Sequence, residues 1–512
     1  MNKKQPSSAK NITILSLDTF GDLTLRQPLF SALLDAGHQV SVVVRRGYDQ
    51  LLPFLDNRLR PLITDVNPYA LPNESTWEKV ESLRESIQEH EPQVLVSALY
   101  NRTWVDEWIM GKFPKVDRVG FDNPSLSRSI LDSLQSSYPA HRFPAGPLFD
   151  ELVTCAEDSH ESVKNKALIK TLLGNELTEF RPVLTIPSVL KVRVSSLLDE
   201  MGLQPGDYVL GVPAGNANVT AKVWPTSDFT DLMEHLHKEY GLSVLLTGVK
   251  KESDILDEVA RNLAVSGGRA LTWVGSDDDL DILIGLVDRS RLYVGVDTGT
   301  MHFAAALDKP VVALFGGGTW PRFLPLAGRS FVATQKLPCF GCNWACWLNE
   351  PKCMTLTCSA TFISGLDWIL NTTVNSDSDK IDLGRKLDPL LEQTIHSAVT
   401  AVDRANRRWE ESERDRAARL AVIERQGREY GEVEAERNRL RCELEEMQGH
   451  YEESERDRAA RLEVINSLGK QLEESEADRA ARLRWIQEMR SSWLYRLGRL
   501  FRLWNNSLIM SP

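Results

Sequence analysis

Long apolar runs are missing from this chain of 512 residues. No stretch approaches the roughly 18 apolar residues that a membrane-spanning helix needs, so a transmembrane span is excluded on length. Lys3 and Lys4 have no apolar stretch behind them of the kind a secretion signal carries, and Ile12 to Leu17 is short enough to be a first strand. A cytoplasmic location is the expectation. Positive charge is also in deficit, with 60 Lys and Arg against 72 Asp and Glu and a net charge of -12. That balance argues against a general nucleic-acid binder. Glycine is scarce where a dinucleotide fold would need it. The first strand–helix turn, Ser16 to Pro28, holds Gly21 alone, so it has no G-x-G-x-x-G to cradle a pyrophosphate. No Asp-x-Asp pair stands at a strand end, and Asp277-Asp278-Asp279 reads as a helix N-terminus. Cysteine is thin outside one stretch. Of the seven, Cys155 and Cys442 stand apart, while Cys339, Cys342, Cys346, Cys353 and Cys358 crowd together. Without a secretion signal, such clustering points to metal binding more than to disulfides.

What is present is an alternation of strands and helices. Ile12–Leu17, Val40–Val44, Pro61–Ile63, Val94–Val96 and Val116–Phe121 read as strands. Leu23–Ala36 and Trp77–Glu89 read as helices between them. After a helical stretch around 160–200 the alternation restarts with strands at 208–212, 243–247, 271–274, 291–296 and 310–315. Helices are expected at 227–240, 252–264 and 278–288 and after Gly299. The pattern predicts an α/β protein of two Rossmann-like domains facing a cleft, each a doubly wound parallel sheet. Ligands bind such sheets at the carboxyl ends of the strands. The expected boundaries are a disordered leader 1–10, a first domain 11–185, a second domain 186–372 and a linker 373–385. Helical repeats 386–490 and a basic C-terminal segment 491–512 follow.

The richest motif is Val294-Gly295-Val296-Asp297-Thr298-Gly299-Thr300-Met301-His302, followed by Phe303 to Leu307. An apolar strand delivers a carboxylate and a glycine to a helix N-terminus, where unpaired N–H groups favour an anion such as phosphate. In the first turn, Asp18 and Asp22 are expected to face the cleft. Asp22 serves either as a general base or as an N-cap.

Gly21-Asp22 before an apolar helix containing Pro28, Ala221-Lys222-Val223-Trp224-Pro225, and Asp297–His302 with Ala304 to Pro310 together resemble signatures of glycosyltransferase family 9, the lipopolysaccharide heptosyltransferases. They occur in family order and span roughly residues 11–370. The resemblance implies the GT-B fold and an inverting transfer of sugar from a nucleotide diphosphate, with ADP-heptose suspected as donor and no cofactor required. The acceptor implied is a lipid-linked or surface glycan. By position, Asp22 matches the catalytic base and Lys222 a lysine that neutralises the donor diphosphate. Glu252 matches a carboxylate on the nucleotide ribose, and Asp297 a donor-contacting carboxylate. Thr298 and Gly299 would offer N–H groups to phosphate, with His302 on the same helix. Other readings remain for each: a surface lysine for Lys222, a helix first-turn residue for Glu252, a packing residue for His302. Arg26, Arg45, Arg46 and Arg102 are candidates to meet a phosphorylated acceptor. One departure stands out. The family's Gly-Pro-Thr-Asp-Pro is replaced by Gly316-Gly317-Gly318-Thr319-Trp320-Pro321, which leaves the sugar open. A sugar-nucleotide epimerase and a non-catalytic interaction protein with a coiled-coil tail are the alternatives.

Cys339, Cys342, Cys346, Cys353 and Cys358 either hold a structural metal or are reduced cysteines, and Trp344 and Trp347 are expected to pack among them. Past the linker, Glu410–Leu420 recurs from Glu452 and again from Glu473, at offsets that are multiples of seven, as a coiled coil requires. Leu420, Ile423, Leu444, Leu462, Ile465, Leu472, Leu483 and Ile486 fit its seam. Gly427, Gly469, Arg458 and Glu476 interrupt it. Homo-oligomerisation or a solvated single helix follows. Trp493, Leu494, Leu497, Leu500, Phe501 and Trp504, interleaved with Arg490, Arg496, Arg499 and Arg502, suit an anionic membrane surface or a helix packed on a neighbouring subunit.

Overall fold

The computed structural model describes residues 9–384, apart from 124–127, 144–146, 216–218, 220, 277, 345, 347–350 and 372–379, and residues 451–491. The leader to residue 8, most of the linker, the repeats at 386–450 and the basic segment from 492 lie outside the described residues.

The first lobe runs β1 (Asn11–Leu15), α1 (Phe20–Asp35), β2 (Gln39–Arg45), β3 (Arg60–Thr64), α2 (Glu74–Glu89), β4 (Val94–Ser97), α3 (Trp104–Lys112), β5 (Asp117–Phe121), α4 (Arg128–Ser137), β6 (Glu151–Val153) and α5 (Glu161–Leu173). Its strands are parallel, in the order β3-β2-β1-β4-β5-β6, with Ile12 paired to Val40 on one side and Val94 on the other. The central strands are apolar on both faces because helices cover both. The second lobe runs α6 (Ser188–Met201), β7 (Tyr208–Val212), α7 (Thr226–Tyr240), β8 (Ser243–Val249), α8 (Ser253–Val265), β9 (Ala270–Gly275), α9 (Leu280–Arg289), β10 (Leu292–Val296), α10 (Gly299–Ala306), β11 (Val311–Leu314), β12 (Ser330–Ala333), α11 (Lys352–Thr355), α12 (Ser359–Asn371) and β13 (Lys380–Asp382). Its parallel order is β13-β12-β11-β10-β7-β8-β9. The order reverses at β1/β4 in one lobe and at β7/β10 in the other. A crevice opens at the carboxyl ends beside each such reversal.

Two expectations on boundaries are corrected. The first helix begins at Phe20 rather than Leu23, because Thr19 and Asp22 form a capping box: the Asp22 carboxylate accepts from Thr19 N at 3.3 Å and from its hydroxyl at 2.6 Å. The expected linker contains a strand. Ile381 pairs with Val332, and Thr334 N donates to Asp382 O at 2.9 Å. Three residues reading Lys-Ile-Asp carry no periodicity to signal this, and only the open edge of β12 recruits them.

The lobes are joined by a buried charge cluster. Arg322, from the loop after β11, donates Nε and Nη2 to Glu161 Oε1 on α5 at 3.0 and 2.9 Å, and Lys164 Nζ reaches the same oxygen at 2.8 Å. Glu161 N donates to Arg322 O at 2.9 Å. Burial alone would raise the Glu161 carboxyl, but Arg322 and Lys164 outweigh it and hold it below the ordinary range.

The tail helix, Tyr451–Ser491, forms part of a separate unit. Leu462, Ile465, Leu472 and Leu483 are exposed along it, and Arg482 pairs with Asp478 one turn away at 2.8 Å.

Substituting Glu161→Gln leaves two buried cations without their anion. The expected loss is about 3–5 kcal/mol, read as a lowered denaturant midpoint. Because the folded pKa lies below the unfolded value, this contribution is present above about pH 4.3 and drains away on acidification through the folded pKa.

Candidate active site

A cleft of about 620 Å³ lies between the carboxyl ends of the two sheets. Thr19, Phe20, Gly21, Asp22 and Tyr48 line it from the first lobe; Lys222, Glu252, Asp297, Thr298, Gly299 and His302 line it from the second. All the sequence-predicted donor and catalytic residues are therefore brought together.

The two helix N-termini that bound the cleft almost touch. A methyl built on Gly21 at the start of α1 would come within 2.9 Å of His302 Cδ2, and one on Gly299 at the start of α10 within 3.4 Å of Phe20 Cβ. The positive ends of both helix dipoles thus converge on one space. Gly21 is what permits that approach.

Asp22 sits at the third position of α1, so it is not the N-cap; Thr19 is. It lines the cleft as well. Burial, and then the neighbouring Asp18 carboxylate, push its pKa up to about 7, against the pull of Arg26. Asp18 does not face the cleft, contrary to expectation. It is buried, its two oxygens held by Arg26 Nη1 and Nη2 at 2.7 and 2.6 Å. Arg26 is thereby committed to a structural pair, with Nη2 also donating to Ala98 O at 3.0 Å. Arg102 is likewise buried against Glu107 at 2.8 Å, and Arg46 pairs with Asp65 at 2.7 Å on the surface. Of the four expected acceptor arginines, Arg45 alone stands beside the cleft wall, its guanidinium 4.4 Å from the Tyr48 ring centre.

In the second lobe Trp224 fixes Lys222. The indole is fully buried against Phe229 and Phe362, and the backbone returns through Gly215 N to Lys222 O at 3.0 Å and Trp224 N to Pro213 O at 2.8 Å. Lys222 Nζ then donates to Asp297 Oδ2 at 2.9 Å and to Asp297 O at 3.0 Å, which holds the ammonium beside the start of α10. Thr298 is the N-cap of α10, in extended conformation. Glu252 is buried at the end of β8, where its Oε2 accepts from Val249 N at 2.9 Å. His302 is buried with Nδ1 unpartnered, and burial lowers its pKa to about 4. It is therefore neutral near pH 7 and a poor base, in line with a packing role.

Several wall residues were not singled out from the sequence as site residues: Tyr48, Trp273, Thr319, Phe323 and Trp344. Trp344 was expected only to pack. Among the cysteines, Cys339, Cys342 and Cys353 are buried, Cys346 is half-buried and Cys358 is exposed. No group of three or more His, Cys, Asp or Glu is placed to hold a metal ion among the described residues.

Two facing doubly wound lobes with an anion-ready cleft define an α/β protein of the GT-B class. Residues 140–344 match the model of glycosyltransferase family 9 (heptosyltransferase), a span that holds Lys222, Glu252, Asp297, Thr298, Gly299 and His302 but not Asp22. The chain is similar to lipooligosaccharide heptosyltransferase 2 of Haemophilus ducreyi, 36% identical over 114 residues, 22% of this chain and 32% of that one. It is also similar to lipopolysaccharide heptosyltransferase 3 of Escherichia coli, 28% identical over 156 residues, 30% of this chain and 44% of that one. The matched stretches thus span less than half the length of these relatives. Among solved structures, E. coli ADP-heptose lipopolysaccharide heptosyltransferase II superposes with a TM-score of 0.51 at 17% identity, over 70% of this chain and 98% of that one. A family 9 glycosyltransferase from Veillonella parvula does so with 0.51 at 17% identity, over 63% and 85%. These superpositions establish the shared fold, and over residues 140–344 the sequence is similar to glycosyltransferase family 9.

Gly21→Ala should cost about 1–3 kcal/mol in thermal unfolding, since its methyl has only the His302 ring to push against. Adding His302→Ala should restore part of that loss, a non-additivity that a double-mutant cycle measures.

Proposed function

We propose that this protein is an inverting glycosyltransferase that moves a sugar from a nucleotide diphosphate, ADP-heptose being the favoured donor, to a lipopolysaccharide or related surface glycan. The observation that carries the proposal is that one cleft holds a raised-pKa aspartate from the first lobe and a lysine with a helix N-terminus from the second.

The donor lies along the second lobe. Glu252 at the end of β8 faces the ribose. The diphosphate meets the N–H groups of Thr298 and Gly299 and the Lys222 ammonium, which Asp297 orients. The acceptor hydroxyl enters from the first lobe beside Asp22. Its oxygen attacks the anomeric carbon, and the bond from that carbon to the phosphate oxygen breaks. The electron pair leaves on the diphosphate, and Asp22 takes the hydroxyl proton. Attack from the face opposite the leaving group inverts the centre. Lys222 and the α10 dipole stabilise the charge that builds on the leaving phosphate. Asp22 with a pKa of about 7 is half ionised near neutrality, close to the optimum for a general base.

No helix among the described residues is long and apolar enough to cross a membrane. Under the proposal the enzyme works at the inner face of the cytoplasmic membrane, held there by the basic aromatic segment 491–512. The exposed Leu462, Ile465 and Leu472 of the tail helix support self-association through a coiled coil.

Asp22→Asn should lower kcat/KM by about 10²–10⁴-fold while donor affinity by calorimetry stays within a few-fold. In the parent enzyme kcat/KM should rise with pH through about 7, as the carboxyl loses its proton, and the variant should lose that limb. Comparable loss of donor binding would make Asp22 structural. For the tail, Ile465→Glu with Leu472→Glu should shift the sedimenting species of the full chain towards monomer; an unchanged sedimentation profile would remove the coiled-coil element.

A further inference from the structure

The loop after β11 departs from its family counterpart, and the structure supplies a physical reason. Gly316, Gly317 and Gly318 are the seat of the cysteine-rich segment. A methyl on Gly316 would lie 2.4 Å from the Trp344 ring, one on Gly318 2.3 Å from it, and one on Gly317 2.3 Å from Phe340. Backbone bonds fasten the two strips: Gly341 N donates to Gly317 O at 2.7 Å and Asn343 N to Gly318 O at 2.8 Å. Trp344 carries two costs. Its backbone is left-handed, with φ 63°, next to Asn343 at φ 44°, and its Nε1 is buried without a partner. Backbone strain of this kind clusters at ligand sites.

Strand order says which part of a ligand this wall would meet. From Glu252 at the end of β8, the sheet steps through β7 and β10 to β11, whose loop carries Trp344 on its glycines. Three interstrand steps of about 4.8 Å make about 14 Å across the sheet. The phosphate-ready N-terminus of α10 lies between the two ends. Trp344 stands beyond it, its ring centre 4.6 Å from Lys222 Nζ.

We propose that Trp344 is a specificity-determining residue, the wall of the donor's sugar subsite built from the cysteine-rich segment; this rests on the nucleotide-sugar reading above. Lys222 Nζ stands over the indole, 4.6 Å from its centre, and beside that ammonium the half-buried ring offers an apolar surface to the C–H side of a pyranose. Gly316 and Gly318 leave the room that the ring occupies.

The test is calorimetric titration of the full chain, Trp344→Ala and Trp344→Phe with ADP, ADP-heptose and ADP-glucose. Near-UV circular dichroism checks that each variant is folded. Trp344→Ala should weaken ADP-heptose by about tenfold or more, leave ADP within about twofold, and bring the affinities for the two sugars together. Trp344→Phe should recover part of the loss. Gly318→Ala, whose methyl displaces the ring, should reproduce the selective defect. Equal loss of ADP and ADP-heptose would reduce Trp344 to a structural residue, and unchanged affinities would place it outside the sugar subsite. Either result overturns the inference while leaving the transferase reading intact. A parent protein that binds none of the three ligands would instead sink the ADP-sugar reading, and the subsite with it.

Discussion

The contact on which the site depends is the meeting of two helix ends. Gly21 opens α1 and Gly299 opens α10, and a side chain on Gly21 would run into His302 of the other lobe. That approach puts two sets of unpaired N–H groups and two dipole ends around one cleft. An anion there is met from both lobes before any side chain is counted. The Glu161–Arg322–Lys164 cluster and the backbone bond from Glu161 to Arg322 support the arrangement from the side, tying the β11 loop to α5.

Charge is distributed with consequences for chemistry. Asp18 is spent on Arg26, away from solvent and ligand. Its residual negative charge, together with burial, keeps the Asp22 carboxyl from ionising at ordinary carboxylate pH. The same Asp22 completes the capping box that starts α1. One side chain thus begins the helix, feels its neighbour's charge and faces the cleft. Across the cleft, Asp297 performs a comparable double task, closing a strand and holding Lys222.

The second lobe shows how a departure from a family pattern acquires meaning. Three glycines in a row look like a flexible loop in a linear reading. In three dimensions they are a flat seat for Phe340 and Trp344. Three of the five cysteines around those rings are buried, and the segment contributes Trp344 to the cleft wall.

The sequence by itself determined the two α/β halves and placed Asp297 at the end of a strand, just before a helix start. Apolar runs and helix-start motifs are local signals, and both follow from them. It also carried the Thr19–Asp22 spacing, which is that of a capping box. Tertiary structure alone decided that Asp18, Arg26 and Arg102 are buried pairs and that Lys-Ile-Asp at 380–382 is a strand. It alone decided that Trp344 reaches Lys222. Each of these depends on partners tens of residues away, and no periodicity in the chain encodes a contact whose only cause is that two distant segments fold into the same space.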